Sequence, residues 1–413
     1  MNTTPSPAEG LTLRRATDAD WDNIIATDAR AFVMRNPLPD AERADLRGKV
    51  DDSDVVVVYD EAGPPPPRLV GVSMYYRLPM TLPGGDVADT AGLSWVSVAA
   101  THRRRGILRR MITELFDQWE SEGQVFGILT ASEATIYERF GFGPVCFAHD
   151  VTVDLSRTSI RQEADAQATV RYGTAEEVAA RIPEIHDRWT RTRAGALGRS
   201  AAWWKPILAD RKSQRPFGSS GLHYLLHQDG YASYRINTAT DPRRGDISEI
   251  VAVTDAAHTD LWRVLSGLDL LPTVTASIPV DDALPVKLTD RRAAQVTGIS
   301  DKMWLTILDV PAALGKRKYS GDLDVVLEVT DGFRGRAGVY DLSVRGGGAI
   351  VAPSTAEPTV RLDISVLSSI YLGGIDARSF AAADRLWTDS PETLTAFDLA
   401  FATDRAPYSG TFF

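Results

Sequence analysis

Cysteine is almost absent from this 413-residue chain: Cys146 stands alone. That excludes an internal disulfide and a thiolate metal cluster. No run of about 18 apolar residues occurs, so no segment is predicted to cross a membrane as a helix. Basic charge is in deficit, with 45 Lys and Arg against 55 Asp and Glu and a formal net charge of −10. That balance argues against nucleic acid or a membrane surface as partner. The opening residues lack a basic start and an apolar stretch of export-signal length, so a cytoplasmic setting is expected. Histidines number only 6. His223 and His227 share an i, i+4 spacing, but on a predicted strand they lie too far apart for one ion, and no metal is expected. GxGxxG and the Walker lysine are also missing.

What is present is an ordinary globular composition, 44% apolar and 24% charged, over a length that calls for two or three domains. A strand is predicted at Leu11–Arg14, followed by a helix capped by Thr17 or Asp18 with an acidic first turn. Val55–Val58 and Leu69–Tyr76 flank a turn and the proline tract Pro64–Pro67, which reads as a hairpin. A third strand is predicted at Leu93–Val98. Leu108, Ile112, Leu115 and Trp119 then form the stripe of an amphipathic helix that Gly123 ends. Val125–Thr130 reads as a short buried strand, and Ser132 as the cap of a brief helix reaching Arg139. Alternating strands and helices predict an α/β domain with a partly parallel sheet.

A polar linker is predicted from Ser156 to Gln167, and a similar order then returns. It comprises Val170–Tyr172, a helix over Glu176–Arg188, a hairpin turning at Asp229–Gly230, a strand Ile247–Val253 and a helix Leu261–Leu268. This reads as a degenerate internal duplication. A third region starts near Met303, with strands Met303–Val310 and Leu323–Val329, a helix opened by Pro311, and helices Arg378–Trp387 and Pro391–Phe401. Domain boundaries are placed at 1–158, 159–300 and 301–413.

The chemistry concentrates between Ser94 and Arg110. A strand carrying Val96, Ser97 and Val98 enters the basic turn Arg103-Arg104-Arg105-Gly106, and the helix of Ile107, Leu108 and Arg109 begins at once. Free N–H groups at a helix start attract phosphate oxygens, and arginines neutralise them. Gly106 lets the backbone approach a bulky anion without a Cβ. A diphosphate other than ATP or NAD fits best. The plain alternative is a solvated arginine face.

Arg103-x-x-Gly106 between a Val-x-Val strand and a helix resembles the acetyl-CoA motif of GNAT acetyltransferases. The whole stretch resembles the Eis family of actinobacterial N-acetyltransferases, together with Ser132-Glu133, Ile136-Tyr137-Glu138-Arg139-Phe140-Gly141, Asp229-Gly230-Tyr231 and Val310-Pro311-Ala312-Ala313-Leu314. The resemblance implies two GNAT-like domains, the second without a cofactor site, then a sterol-carrier-like domain, assembled as a homo-hexamer. Thr254-Asp255-Ala256-Ala257-His258, with neither arginine nor glycine, is in keeping with that loss. Leu108 departs from the general GNAT pattern, in which a small residue is common.

The resemblance also assigns roles. Tyr137 is the general acid near the CoA sulfur, and the terminal carboxylate of Phe413 is the base. Val96, Ser97 and Val98 contact the acetyl-pantetheine arm of acetyl-CoA. Arg103, Arg104, Arg105, Gly106, Ile107, Leu108 and Arg109 hold the diphosphate, and Ser132 and Glu133 add a further contact. The implied acceptor is a cationic amine, aminoglycoside-like. Lysine or a polyamine fits the same residues, and an apolar-ligand carrier is the non-enzymatic alternative. Candidate acceptor residues are Ala31–Pro39, including Phe32, Met34, Asn36 and Pro37, with Tyr75 and Tyr76.

Overall fold

Strand propensity in the first 300 residues is gathered into one large sheet. The computed structural model describes residues 10–34, 37–161 and 169–413. Asn36, residues 1–9 and positions 162–167 of the expected linker lie outside the described residues. Twelve strands run in the spatial order Leu11–Arg15, Val55–Asp60, Arg68–Thr81, Val87–Val98, Phe126–Leu129, Ala294–Ile307, Gly143–Asp154, Thr273–Pro279, Arg244–Ala252, Gly230–Asn237, His223–His227 and Arg171–Tyr172. A second sheet of five strands, Gly348–Pro353, Arg336–Arg345, Leu323–Asp331, Val360–Asp363 and Leu386–Thr388, forms the C-terminal domain. The predicted α/β class holds: helices alternate with strands along the large mixed sheet, and a smaller sheet with its own helices follows.

The strand expected at Met303–Val310 begins earlier, at Ala294, and ends at Ile307. It slots between Phe126–Leu129 and Gly143–Asp154, antiparallel to both, and so runs through residue 300. Its first half leaves Val296 and Ile299 exposed and out of phase with each other, so no steady apolar alternation marks it for a sequence reading. Val310 instead opens the helix Val310–Lys316, whose N-cap Asp309 accepts from Ala312 N at 2.9 Å. The helix expected over Arg378–Trp387 stops at Ala382. Asp384 takes φ +57°, and Leu386 and Trp387 join a strand. Leu386 is buried there and Trp387 lies 4.4 Å beneath the Arg361 guanidinium.

The helix Ile107–Ser121 forms where its apolar stripe is predicted, with Ile112, Leu115 and Trp119 of that stripe buried and Leu108 only half-buried. Ile107, Met111, Ile112, Leu115, Phe116 and Trp119 are all buried. Each large apolar side chain so buried contributes roughly 1.5–3 kcal/mol. Gly123, at φ +72°, follows its end in the left-handed turn that suits glycine. The helix lies across the sheet and joins the strand Val87–Val98 to the parallel strand Phe126–Leu129.

Candidate active site

The strand Val87–Val98 is irregular where the chemistry is expected. Val72 pairs with Ser97 and Met74 with Ser94, so Trp95 and Val96 together face Ser73 alone. This is a β-bulge, and Trp95 adopts φ +53° to make it. On the other flank the parallel pairing with Phe126–Leu129 runs from Ala91 to Leu93 and goes no further. Beyond Leu93 the two strands part. Ala99 N donates to Val70 O at 2.8 Å. The alternation of an antiparallel ladder therefore turns the Val98 N–H the other way, into the gap.

A cavity of about 670 Å³ occupies that gap. Val96, Ser97 and Val98 form one wall, and the turn Arg103, Arg104, Gly106 with Ile107, Leu108 and Arg109 forms a second. Ser132, Glu133 and Tyr137 line the third side. Of the cofactor residues expected from sequence, Arg105 does not line the cavity. Its charge acts on Asp60, whose carboxylate also meets His102 Nε2 at 3.0 Å. Both contacts hold the Asp60 carboxyl below its usual range, the hydrogen bond from His102 first. Ser132 does not cap the next helix. That position falls to Glu133, which makes no capping bond, and Ser132 is left exposed on the cavity wall.

The turn is shaped for an anion. Gly106 is the N-cap of the helix at φ +77°, and no atom lies within 4 Å of where a Cβ would stand. The first helical N–H groups lack a capping side chain and are available to phosphate oxygens. Arg104 also takes a left-handed conformation, φ +63°. Arg109 is steadied over the Phe333 ring of the C-terminal domain at 4.8 Å. This donor set, with open space at Gly106, fits the diphosphate of an acyl-CoA.

Tyr137 is 6% exposed, and burial pushes its phenol up to about 12. It keeps its proton at all physiological pH values. Phe413 is half-buried with its ring against Gly92, on the strand that carries Val96. It is not among the residues lining the 670 Å³ cavity. The expected acceptor residues divide by strand alternation. Tyr75 faces the helix, 5.5 Å from Trp119, with its hydroxyl at Glu122, so it leaves the acceptor side. Tyr76 points the opposite way and meets Trp203 edge-on at 5.1 Å. Phe32 lines the cavity mouth, while Val33 and Met34 are exposed.

Two residues escaped the sequence reading. Asp28 is buried and accepts from Ser97 Oγ at 2.7 Å. Burial raises its pKa to about 6, partly offset by that bond. No motif marks it, because its partner is 69 residues away. Arg139 lines the cavity as well, and its place two residues after Tyr137 could have drawn notice. The histidines serve locally: His223 stacks on Tyr234 at 5.1 Å and His227 Nδ1 accepts from Asp229 N at 2.9 Å.

Family models for an acetyltransferase (GNAT) domain match residues 12–145 and 195–305, and one for a sterol carrier protein domain matches 310–410. N-acetyltransferase Eis of Mycobacterium tuberculosis is 39% identical over 403 residues, covering 95% of this chain and 97% of that protein. The chain belongs to the Eis family of GNAT N-acetyltransferases. An uncharacterised N-acetyltransferase of Streptomyces coelicolor is 30% identical, covering 94% of this chain and 96% of that protein. The crystal structure of Eis1 from Mycobacterium abscessus superposes with a TM-score of 0.84 at 28% identity, covering 98% of this chain and all of that one. As an Eis-family enzyme the protein is an acetyltransferase, and acetyl-CoA is its donor. Among the described residues no helix is long and apolar enough to cross a membrane.

Proposed function

We propose that this Eis-family protein acetylates primary amines of small molecules in the cavity between the parted strands. The observation that carries the reading is the meeting of the bulged strand, the Gly106 turn and Tyr137 around one space. Acetyl-CoA, when bound, supplies the thioester. Arg103, Arg104, Arg109 and the N–H groups after Gly106 would hold its diphosphate, and the Val98 N–H would orient its pantetheine arm. Ser132 and Glu133 border the same space.

Transfer forms an N–C bond as the C–S bond breaks. Tyr137 would hand its phenolic proton to the leaving sulfur and recover one released by the amine. A free alkyl amine has a pKa of about 10.4, so a base must take its first proton. The Phe413 carboxylate would take it through a water. The acceptors implied by the family resemblance are cationic, aminoglycosides included, and lysine and polyamines suit the same residues. A homo-hexamer and a cytoplasmic setting complete the reading.

A thiol-release assay over an amine panel tests it on the native chain, on Tyr137→Ala and on a chain lacking Phe413. Both variants are expected to lose most turnover and keep acetyl-CoA affinity. Full activity without Phe413 removes the tail from the mechanism. The apolar-ligand alternative has little in its favour. The cavity of about 660 Å³ where the C-terminal domain meets the first is rimmed by Glu120, ion-paired to Arg334 at 3.0 Å and Arg336 at 2.8 Å, a poor lining for an acyl chain.

A further inference from the structure

A second cavity, of about 570 Å³, lies between the second GNAT-like half and the tail Tyr408–Phe412. It backs onto the transfer site. Phe412 lines it, and the next residue, Phe413, packs against Gly92. Trp203 lines it too and touches Tyr76, whose hydroxyl is set among Trp95, Ser94 and Asp28 at the bulge.

Its charge is lopsided. Five cationic side chains line it against two carboxylates, Asp210 and Glu249. Most of the cations have partners. Arg199 meets Glu249 at 2.6 Å, Arg235 meets Asp210 at 2.5 Å and Lys302 lies 3.6 Å from Asp150. Lys49 does not. Its ammonium sits 4.3 Å from the centre of the Trp203 ring, and no carboxylate pairs with it among the described residues. Asp45, whose charge reaches it, already serves Arg211 at 2.7 Å and Lys205 at 3.5 Å. Burial draws the Lys49 ammonium below the usual lysine range, as a charge without a close counter-charge requires.

An unpaired ammonium in a partly desolvated cavity is costly until an anion arrives, and it repels a polycation. A single ammonium matches a single carboxylate. We propose that this cavity admits the acceptor and that Lys49 selects amines bearing a carboxylate at the end remote from the reacting nitrogen. Of the acceptors named above, the class is then narrowed to amino-acid-like zwitterions, lysine included, and polyamines and aminoglycosides are set aside. The inference rests on the amine-transfer reading above.

The test compares three acceptors of one length: 6-aminohexanoate, hexylamine and 1,6-diaminohexane, each with acetyl-CoA and thiol release as the readout. The native enzyme is expected to favour 6-aminohexanoate in kcat/KM by roughly tenfold or more, the scale of one charge-assisted contact. Lys49→Met should erase that preference, and Lys49→Glu should turn it toward the diamine. Calorimetry with acetyl-CoA shows whether the variants are folded. Equal ratios in the native enzyme and both variants, or a native preference for the diamine, overturn the proposal. If none of the three amines is acetylated by the native enzyme, the amine-transfer reading itself fails for this class. The charge claim is then judged by titrating glutarate into the CoA-saturated protein. Heat that depends on Lys49 upholds it, and no heat, or heat kept in Lys49→Met, overturns it.

Discussion

The two GNAT-like halves keep the same opening and fill it differently. In the first, Val87–Val98 parts from Phe126–Leu129 beyond Leu93, next to the bulge at Trp95. In the second, Arg244–Ala252 pairs with the parallel strand Thr273–Pro279 only from Arg244 to Asp246, and its register shifts between Ile247 and Glu249. The turns that follow are opposites. Gly106 leaves the helix N-terminus bare, whereas Thr254 Oγ1 accepts from Ala257 N at 3.2 Å and Asp255 adds a negative charge. One donor that could meet a phosphate, the Ala257 N–H, is consumed, and the acid repels the anion. The second opening instead receives the protein's own tail. Tyr408 Oη donates to Ser277 O at 3.2 Å, and Arg199 links Glu249 to the Gly410 carbonyl at 2.6 Å. A splayed pair of strands is thus a general slot, and the turn after it decides whether the slot takes a diphosphate.

The sharpest way to break this comparison is to spoil the first turn. Arg104→Glu combined with Gly106→Val should abolish the calorimetric signal of acetyl-CoA, at least a hundredfold loss. The valine adds about 1–2 kcal/mol of left-handed strain and fills the open space. Next in size is Tyr137→Phe, with kcat expected to fall roughly 10²-fold at unchanged acetyl-CoA affinity. Because burial holds this phenol near 12, the native kcat should show no alkaline limb from it below pH 10. Kept activity in Tyr137→Phe would place the acid elsewhere.

Asp28 sharpens the picture through pH. Its pKa of about 6 lies above the usual 3.9, so between these values the native state binds a proton that the unfolded chain has lost. Stability should therefore decline as pH rises from about 4 to 6 and level off above. Asp28→Asn should remove that slope, worth of order 2 kcal/mol, in denaturant titrations at pH 4 and 7. The smallest effect belongs to the second turn. Thr254→Ala should cost about 1 kcal/mol in unfolding and leave acetyl-CoA binding untouched. A new affinity for acetyl-CoA there would mean that capping alone closed the second slot.

Much of this site could be read from the residues. The arginines before Gly106 and the stripe from Leu108 to Trp119 act within a few positions of themselves, so the turn and its helix were legible. Resemblance, more than local chemistry, pointed to Tyr137 and Ser132. Trp95 was not legible, because a tryptophan at positive φ has no sequence signature and is held there by its sheet neighbours. Arg105 looked equivalent to Arg103 and Arg104, and only the position of Asp60 turned its charge aside. Tyr75 and Tyr76 looked like one pair, although strand geometry sends them to opposite faces.

From the sequence alone came an arginine-flanked glycine turn opening a helix in the first half and the loss of both arginine and glycine at Thr254–His258 in the second, because the residue types of a turn are fixed by immediate neighbours. The Thr254 cap and the helix start at Asp255 emerged only with the fold. The folded chain decided where two parallel strands separate, that Asp28 is buried against Ser97, and that the tail threads the second half to bring Phe413 beside Gly92. Those outcomes depend on sheet register and on the cost of burying charge, and both are set by partners that meet only once distant segments pack.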